Sequence, residues 1–160
     1  MLPPNRTSPS YPPASRARTQ IQRLISRMRP GQILLVEDHD ELRALLATAL
    51  RRDGYSVVEC ANGDDALDWL GPGCLEGDLE QLPIAIISDI RLPYFTGLDI
   101  LAGVNCGRER IPIILITAFP DEETTALASR LGARCVLAKP FPLEELRRAL
   151  QAALEPPQRP

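Results

Sequence analysis

Aromatic side chains make up only 4% of the 160-residue chain, and a single lysine and a single histidine stand against 17 arginines. The core must then be built from Leu, Ile, Val and Ala, and the 44% apolar content is enough for one ordinary domain. No apolar run reaches the roughly 18 residues of a membrane-spanning helix. The N-terminus also lacks the continuous apolar stretch of a secretory signal, so a cytoplasmic protein is expected. The four cysteines, Cys60, Cys74, Cys106 and Cys135, are far apart with no C-x-x-C pair. That spacing disfavours a zinc site or a disulfide framework and points to reduced, structural thiols. Acidic residues are missing altogether from residues 1–30, which carry six arginines; the remainder holds 12 basic and 21 acidic residues, a balance of −9. So acidic a body argues against a DNA-binding surface on the domain, although the Arg-rich leader could make weak, salt-sensitive contacts.

The first stretch is rich in Pro, Ser and Arg, a composition expected to be disordered over residues 1–30. Within it Ile21, Leu24, Ile25 and Met28 recur at helical spacing, with Arg23, Arg27 and Arg29 between them. A short basic amphipathic helix over 19–29, able to touch a partner or a membrane surface, is one reading. A leader with no role of its own is the other, because isolated helices this short are marginal.

From Gln32 apolar runs alternate with amphipathic segments. Residues 33–36 form a short apolar run ending in Glu37-Asp38, as expected of a strand buried on both faces. Asp40 is a candidate cap for a helix through Arg52, closed by Gly54. The pattern then predicts a strand near 56–60, a helix near 64–70 carrying Trp69 on its apolar side, and a solvated loop over 71–83. A third strand from 84 ends at Asp89, followed by a helix over 98–104, a strand over 113–117 and a helix over 122–131. A strand over 135–138 and a helix over 143–154 complete the domain, 31–154, leaving a short disordered tail at 155–160. Gly54, Gly97 and Gly132 stand where stops and tight turns are needed. Five β-α repeats with short connections predict an α/β, doubly wound, five-stranded parallel sheet. The order 2-1-3-4-5 would bring the carboxyl ends of strands 1 and 3 together at the switch point, where such sheets bind ligands.

Carboxylates end those strands: Glu37 and Asp38 on the first, Asp89 on the third. Like charges this close raise one another's pKa, and a bound divalent cation removes the conflict. A set of oxygen ligands alone suits Mg²⁺, which favours sites that also hold phosphate. Strand 4 ends in Thr117 and strand 5 runs into Ala138-Lys139-Pro140-Phe141, adding a hydroxyl and an ammonium at the same edge. Lys139 is the one lysine of the chain, which suggests a site needing a compact point charge rather than a guanidinium fork. His39, just after the acidic pair, reads as a loop residue rather than a ligand.

The set Glu37-Asp38, Asp89, Thr117-Ala118 and Lys139-Pro140-Phe141 closely resembles the receiver domains of response regulators. The stretch Ser88-Asp89-Ile90-Arg91-Leu92-Pro93, followed by Gly97, resembles the family's segment after its phosphoacceptor. The resemblance spans about 32–154 and implies a flavodoxin-like receiver fold and a two-component phosphorelay. It implies that Asp89 takes a phosphoryl group from a phosphohistidine on a sensor histidine kinase or a histidine phosphotransfer protein. Asp38 and Asp89 would bind Mg²⁺ directly, Glu37 mainly through water, and the Arg91 carbonyl would be a further ligand. Lys139 would pair with phosphoryl oxygens, Thr117 would donate a hydrogen bond to one of them, and the Lys139-Pro140 peptide would be cis. Arg91 and Phe119 occupy places near the phosphoryl group where size and charge could tune its lifetime. A downstream protein effector would be met through the fourth helix, fifth strand and fifth helix.

One departure stands out. Many receivers carry an aromatic residue three positions before the lysine; here it is Val136. Only six residues follow Leu154, so the expectation is a stand-alone regulator that signals through a partner or relays the phosphoryl group, and a homodimer is compatible with it. A receiver-like docking module independent of phosphorylation is the alternative, with Val136 as its support. An aspartate-nucleophile phosphatase is disfavoured, because Arg91 stands where a second, acid/base Asp would be needed. The expectation is therefore a signalling switch and not an enzyme.

Overall fold

The computed structural model describes residues 31–76, 82–106 and 110–155, with the backbone alone over 72–76. The leader with its 19–29 stretch, the tail beyond residue 155 and the Cys74 side chain lie outside the described residues. The elements are β1 (Gln32–Val36), α1 (Asp40–Arg52), β2 (Ser56–Cys60), α2 (Gly63–Glu76), β3 (Ala85–Asp89), α3 (Gly97–Asn105), β4 (Ile113–Thr117), α4 (Glu122–Arg130), β5 (Cys135–Ala138) and α5 (Leu143–Leu154).

The five strands form one parallel sheet in the order β2-β1-β3-β4-β5, as the alternation of runs and helices predicts. Every residue of β3 and β4 is buried, which is why these strands read as continuous apolar runs rather than alternating ones. Successive side chains still go to opposite faces. Leu34, Val36, Ile86, Ile113 and Leu115 pack with Ala66 and Leu70 of α2, Ile100, Leu101 and Val104 of α3, and Ala128 of α4. Ile33, Leu35, Ile87, Ile114 and Ile116 pack with Leu46 and Leu50 of α1 and Leu146 and Leu150 of α5. Trp69 lies against the first of these clusters, as its place on the helix predicts. Full burial of each Leu or Ile contributes about 1.5–3 kcal/mol, so the aliphatic strands supply what few aromatics could.

Three expectations are corrected. Asp40 does not cap α1; His39 does, its Nδ1 accepting the Leu42 N–H at 3.3 Å. An imidazole nitrogen can satisfy an orphan donor of the first turn as a carboxylate would. The predicted break at 71 is absent, since α2 runs through Gly71, Pro72 and Gly73 to Glu76. A proline forfeits one intrahelical hydrogen bond, and α2 continues across that loss while Leu67, Trp69 and Leu70 of its preceding turns are held on the core. Third, Ile84 stands outside β3 and is partly exposed.

Gly54 and Gly132 turn the chain after α1 and α4 at φ 94° and 91°, a region glycine enters freely. Gly97 is needed for a different reason. A Cβ there would run into the main-chain carbonyl of Asp89 and come within 3.1 Å of Ile90 Cα, while its N–H donates to Ile90 O at 3.0 Å. Gly103, on the same helix, has only the Leu67 Cδ2 methyl nearby, at 3.7 Å. Gly97→Ala should therefore cost about 1–3 kcal/mol through overpacking, whereas Gly103→Ala should stabilise by about 0.5–1 kcal/mol through helix propensity. Urea denaturation of the two variants checks both signs.

Candidate functional site

Strand register alone brings the singled-out side chains to one edge. Val36 pairs with Cys60 on one side and Ser88 on the other, Asp89 with Ile116, and Thr117 with Ala138. The ladder continues one step past each strand: Glu37 N–H donates to Cys60 O (3.1 Å), Ile90 N–H to Ile116 O (2.8 Å) and Lys139 N–H to Thr117 O (2.7 Å). Glu37, Asp89, Thr117 and Lys139 thus leave four neighbouring strands at the same carboxyl edge, Thr117 one residue and Lys139 two residues beyond the level of Glu37 and Asp89. Glu37, Asp89 and Thr117 are buried, Lys139 is partly buried and Asp38 is exposed.

One ammonium holds the centre. Lys139 Nζ donates to Glu37 Oε2 at 2.8 Å and makes a short ion pair with Asp89 Oδ2. The Lys139-Pro140 peptide is cis. Glu37, Asp38 and Asp89 each offer a carboxylate oxygen within 4.8 Å of the others', a spacing and donor chemistry that fit a small hard divalent cation. The other Glu37 oxygen accepts the His39 N–H at 3.1 Å, and Asp89 Oδ1 accepts the Arg91 N–H at 2.8 Å. Among the described residues no buried side-chain nitrogen or oxygen lacks a partner.

Burial pushes the Glu37 carboxyl above its ordinary value, partly offset by the Lys139 bond and the His39 N–H. Burial alone would lower the Lys139 ammonium; its hydrogen bonds to Asp89 and Glu37, with their charge, outweigh that and hold it above its ordinary value. The lysine therefore stays cationic. Of the thiols, burial pushes Cys60 up to about 11 and Cys135 also upward, consistent with unreactive packing groups.

Two features escape the sequence reading. Arg43 of α1 donates to the Glu37 main-chain carbonyl at 2.7 Å and to Asp40 Oδ1 at 2.6 Å, fixing the β1 end from below the acids. Its spacing from Asp40 is a common helical ion-pair spacing and carries no sign of that second contact. The Arg91 guanidinium stacks over the Phe119 ring, 4.3 Å from its centroid. The sequence puts each near the site, Arg91 two residues after Asp89 and Phe119 two after Thr117, but nothing in it pairs them. Thr117 ends β4 at this edge, buried, with its Oγ1 accepting the Phe119 N–H at 3.1 Å. Val136 is half-buried against the aliphatic cluster under α2, α3 and α4.

Comparison with known proteins agrees with this geometry. The response regulator receiver domain family matches residues 33–151. Regulatory protein AtoC of Escherichia coli K12 is 36% identical over 125 residues, 78% of this chain but 25% of that protein. Sporulation initiation phosphotransferase F of Bacillus subtilis 168 is 30% identical over 127 residues, 79% of this chain and 96% of that one. Among solved structures, the chemotaxis response regulator CheY4 of Vibrio cholerae superposes with a TM-score of 0.67 at 28% identity, covering 78% of this chain and 99% of its own. The non-phosphorylated HemR receiver domain of Leptospira biflexa gives a TM-score of 0.69 at 26% identity, covering 82% and 98%. Among the described residues no helix is long and apolar enough to cross a membrane. With its sheet order, its acidic mouth and a family match over nearly three quarters of its length, the chain belongs to the response-regulator receiver domains, the signalling switches of two-component systems.

Proposed function

We propose that Asp89 is a phosphoacceptor and that its phosphorylation, with Mg²⁺ bound by the acidic cluster, switches how the domain meets a protein partner. The observation that carries this reading is the double engagement of Lys139 Nζ with Asp89 and Glu37. A buried carboxylate with a cation at one oxygen and two acidic neighbours within 4.8 Å is arranged for phosphoryl transfer, which needs positioning and charge neutralisation. An Asp89 oxygen forms the O–P bond as the P–N bond of a phosphohistidine breaks. The electron pair of that bond stays with the imidazole nitrogen, and the product is an acyl phosphate.

Lys139 exchanges a carboxylate oxygen for phosphoryl oxygens, and the Thr117 hydroxyl donates to another. Asp38 and Asp89 would hold the Mg²⁺ directly, Glu37 through water, with the Arg91 carbonyl completing the protein ligands. When bound, the cation supplies charge neutralisation at the transferring oxygens. No acid/base partner beyond these groups is needed, so the domain acts as a switch that assists its own modification rather than as an enzyme on a separate substrate. A sensor histidine kinase or histidine phosphotransfer protein is the donor. The face of α4, β5 and α5 meets a protein effector, and the acidic body disfavours direct DNA contact. The likeness to sporulation initiation phosphotransferase F, of which the chain covers 96%, supports onward relay of the phosphoryl group as a further output.

Intact mass after incubation with Mg²⁺ and acetyl phosphate should show one added labile phosphoryl group, absent in Asp89→Ala. If no gain is seen with acetyl phosphate or with a panel of histidine kinases, the assignment fails and a phosphorylation-independent docking module takes its place. The cation makes a separate prediction. At ten times its Kd, Mg²⁺ should stabilise the wild type by about 1.4 kcal/mol, and Asp38→Ala should lose most of that gain. Urea denaturation with Mg²⁺ and with EDTA measures the difference; equal curves for the wild type would refute a cation at this cluster.

A further inference from the structure

The Arg91 side chain and Phe119 have no part in the reading above, although both flank its reacting groups. Arg91 N–H donates to Asp89 Oδ1 at 2.8 Å, and Phe119 N–H donates to Thr117 Oγ1 at 3.1 Å. Their side chains then meet outside the site, guanidinium over ring at 4.3 Å, in a position where Phe119 is 59% exposed. Phe119 is therefore tied to the site twice: by its amide to the hydroxyl, and by its ring to a cation rooted beside Asp89.

Neither tie is strong. An exposed cation–π contact is among the weaker polar interactions, and a hydroxyl that rotates can leave the amide it accepts from. A phosphoryl group on Asp89 offers both partners something better. Its oxygens carry about −1.5 to −2 charges, and a guanidinium fork matches two of them at once. Arg91 N–H already bonds the carboxylate to be modified, so its side chain is rooted beside the phosphoryl group.

Resting on the assignment of Asp89 as phosphoacceptor, we propose that the Arg91 guanidinium is a second cationic ligand of the phosphoryl group, beside Lys139. Phe119 is its resting place, released when Arg91 and Thr117 turn to that group. The release has a path outward. Phe119 O accepts the Asp121 N–H at 3.0 Å, and Asp121 caps α4 by accepting the Thr124 N–H at 2.7 Å. A shift of Phe119 thus moves the start of α4, the helix that carries the partly exposed Leu127. The exposed aromatic on the β4–α4 loop supplies a moving part that half-buried, aliphatic Val136 does not.

The chain has three phenylalanines, so the full chain labelled with 4-fluorophenylalanine gives a ¹⁹F spectrum in which loss of one signal in Phe119→Leu assigns that residue. With acetyl phosphate and Mg²⁺, and phosphoryl occupancy read by intact mass on the same sample, the Phe119 signal should move in the wild type. In Arg91→Ala it should be displaced before any phosphodonor is added, and loading should be slowed about tenfold, the scale of one charge-assisted hydrogen bond. Arg91→Lys, which keeps the charge without the fork, should recover part of the loading rate. A Phe119 signal that stays fixed at full phosphoryl occupancy, or wild-type loading in Arg91→Ala, overturns the inference alone. Absence of any phosphoryl gain in the wild type overturns it together with the phosphoacceptor assignment.

Discussion

Three carboxylates share one mouth with a single ammonium, and the arrangement of the site follows from that conflict. The parallel order puts the ends of β1 and β3 side by side, so Glu37, Asp38 and Asp89 cannot avoid one another. Removing charge from water and crowding it with like charge are both unfavourable. Lys139 relieves them from the far side of β4, its four-carbon stem spanning from the β5 end to Asp89 on β3 and Glu37 on β1. A compact ammonium at the tip can touch both oxygens, where a planar guanidinium would have to choose an orientation. The helices add a second favourable field. Each follows its strand, so all five described helices begin at this edge and direct the positive end of their dipoles toward it. Each carries acidic residues in its first turn.

Most of the fold was legible because burial on two faces leaves a simple trace. Runs such as Ile113-Ile114-Leu115-Ile116 have no solvent face to interrupt them, and the helices between them alternate cleanly. The strand ends were legible for the same reason, since the runs before Glu37, Thr117 and Lys139 stop at those residues and the third stops at Ser88-Asp89. Topology then converts four strand ends into one site with no further information. What escaped depends on individual side chains. Pro72 and its flanking glycines carry a strong breaking propensity, yet α2 continues through them. The His39 cap lies in an imidazole tautomer, the Arg43 anchor in a main-chain acceptor, and the Arg91–Phe119 stack in two loops brought together by β3 and β4. None of these leaves a periodicity or a spacing to read.

A phosphoryl group can bias the domain only by as much as it interacts differently with the two states. Small ties at the right place therefore matter more than strong ones elsewhere. The main core is poorly suited to the task, because its strands are buried on both faces and packed at near-crystalline density. The loops after β3 and β4 are suited to it. They are anchored at one end by the strand register and at the other by capped helices, with Thr96 and Asp99 closing a capping box at α3 and Asp121 capping α4. Between those anchors the β3–α3 loop is held by Ile90 and Leu92 packed in the core, and the β4–α4 loop by single hydrogen bonds and one exposed stack.

On the proposed reading, charge sets the direction in which these loops would move. Before modification, the three carboxylates and Lys139 leave the mouth two negative charges in excess. Converting Asp89 to an acyl phosphate exchanges one negative charge for about two, deepening the excess by about one. On the proposed reading a divalent cation removes two of the resulting three. One negative charge remains, in a site whose carboxylates are largely buried, and Lys139 is already committed. Arg91 is the cation whose own N–H bonds Asp89, and its resting contact is an exposed ring rather than a carboxylate. On the proposal made for Arg91, transferring it inward would balance the site and leave Phe119 on the surface. On that proposal a local neutrality requirement at the sheet edge is converted into displacement at the start of a helix.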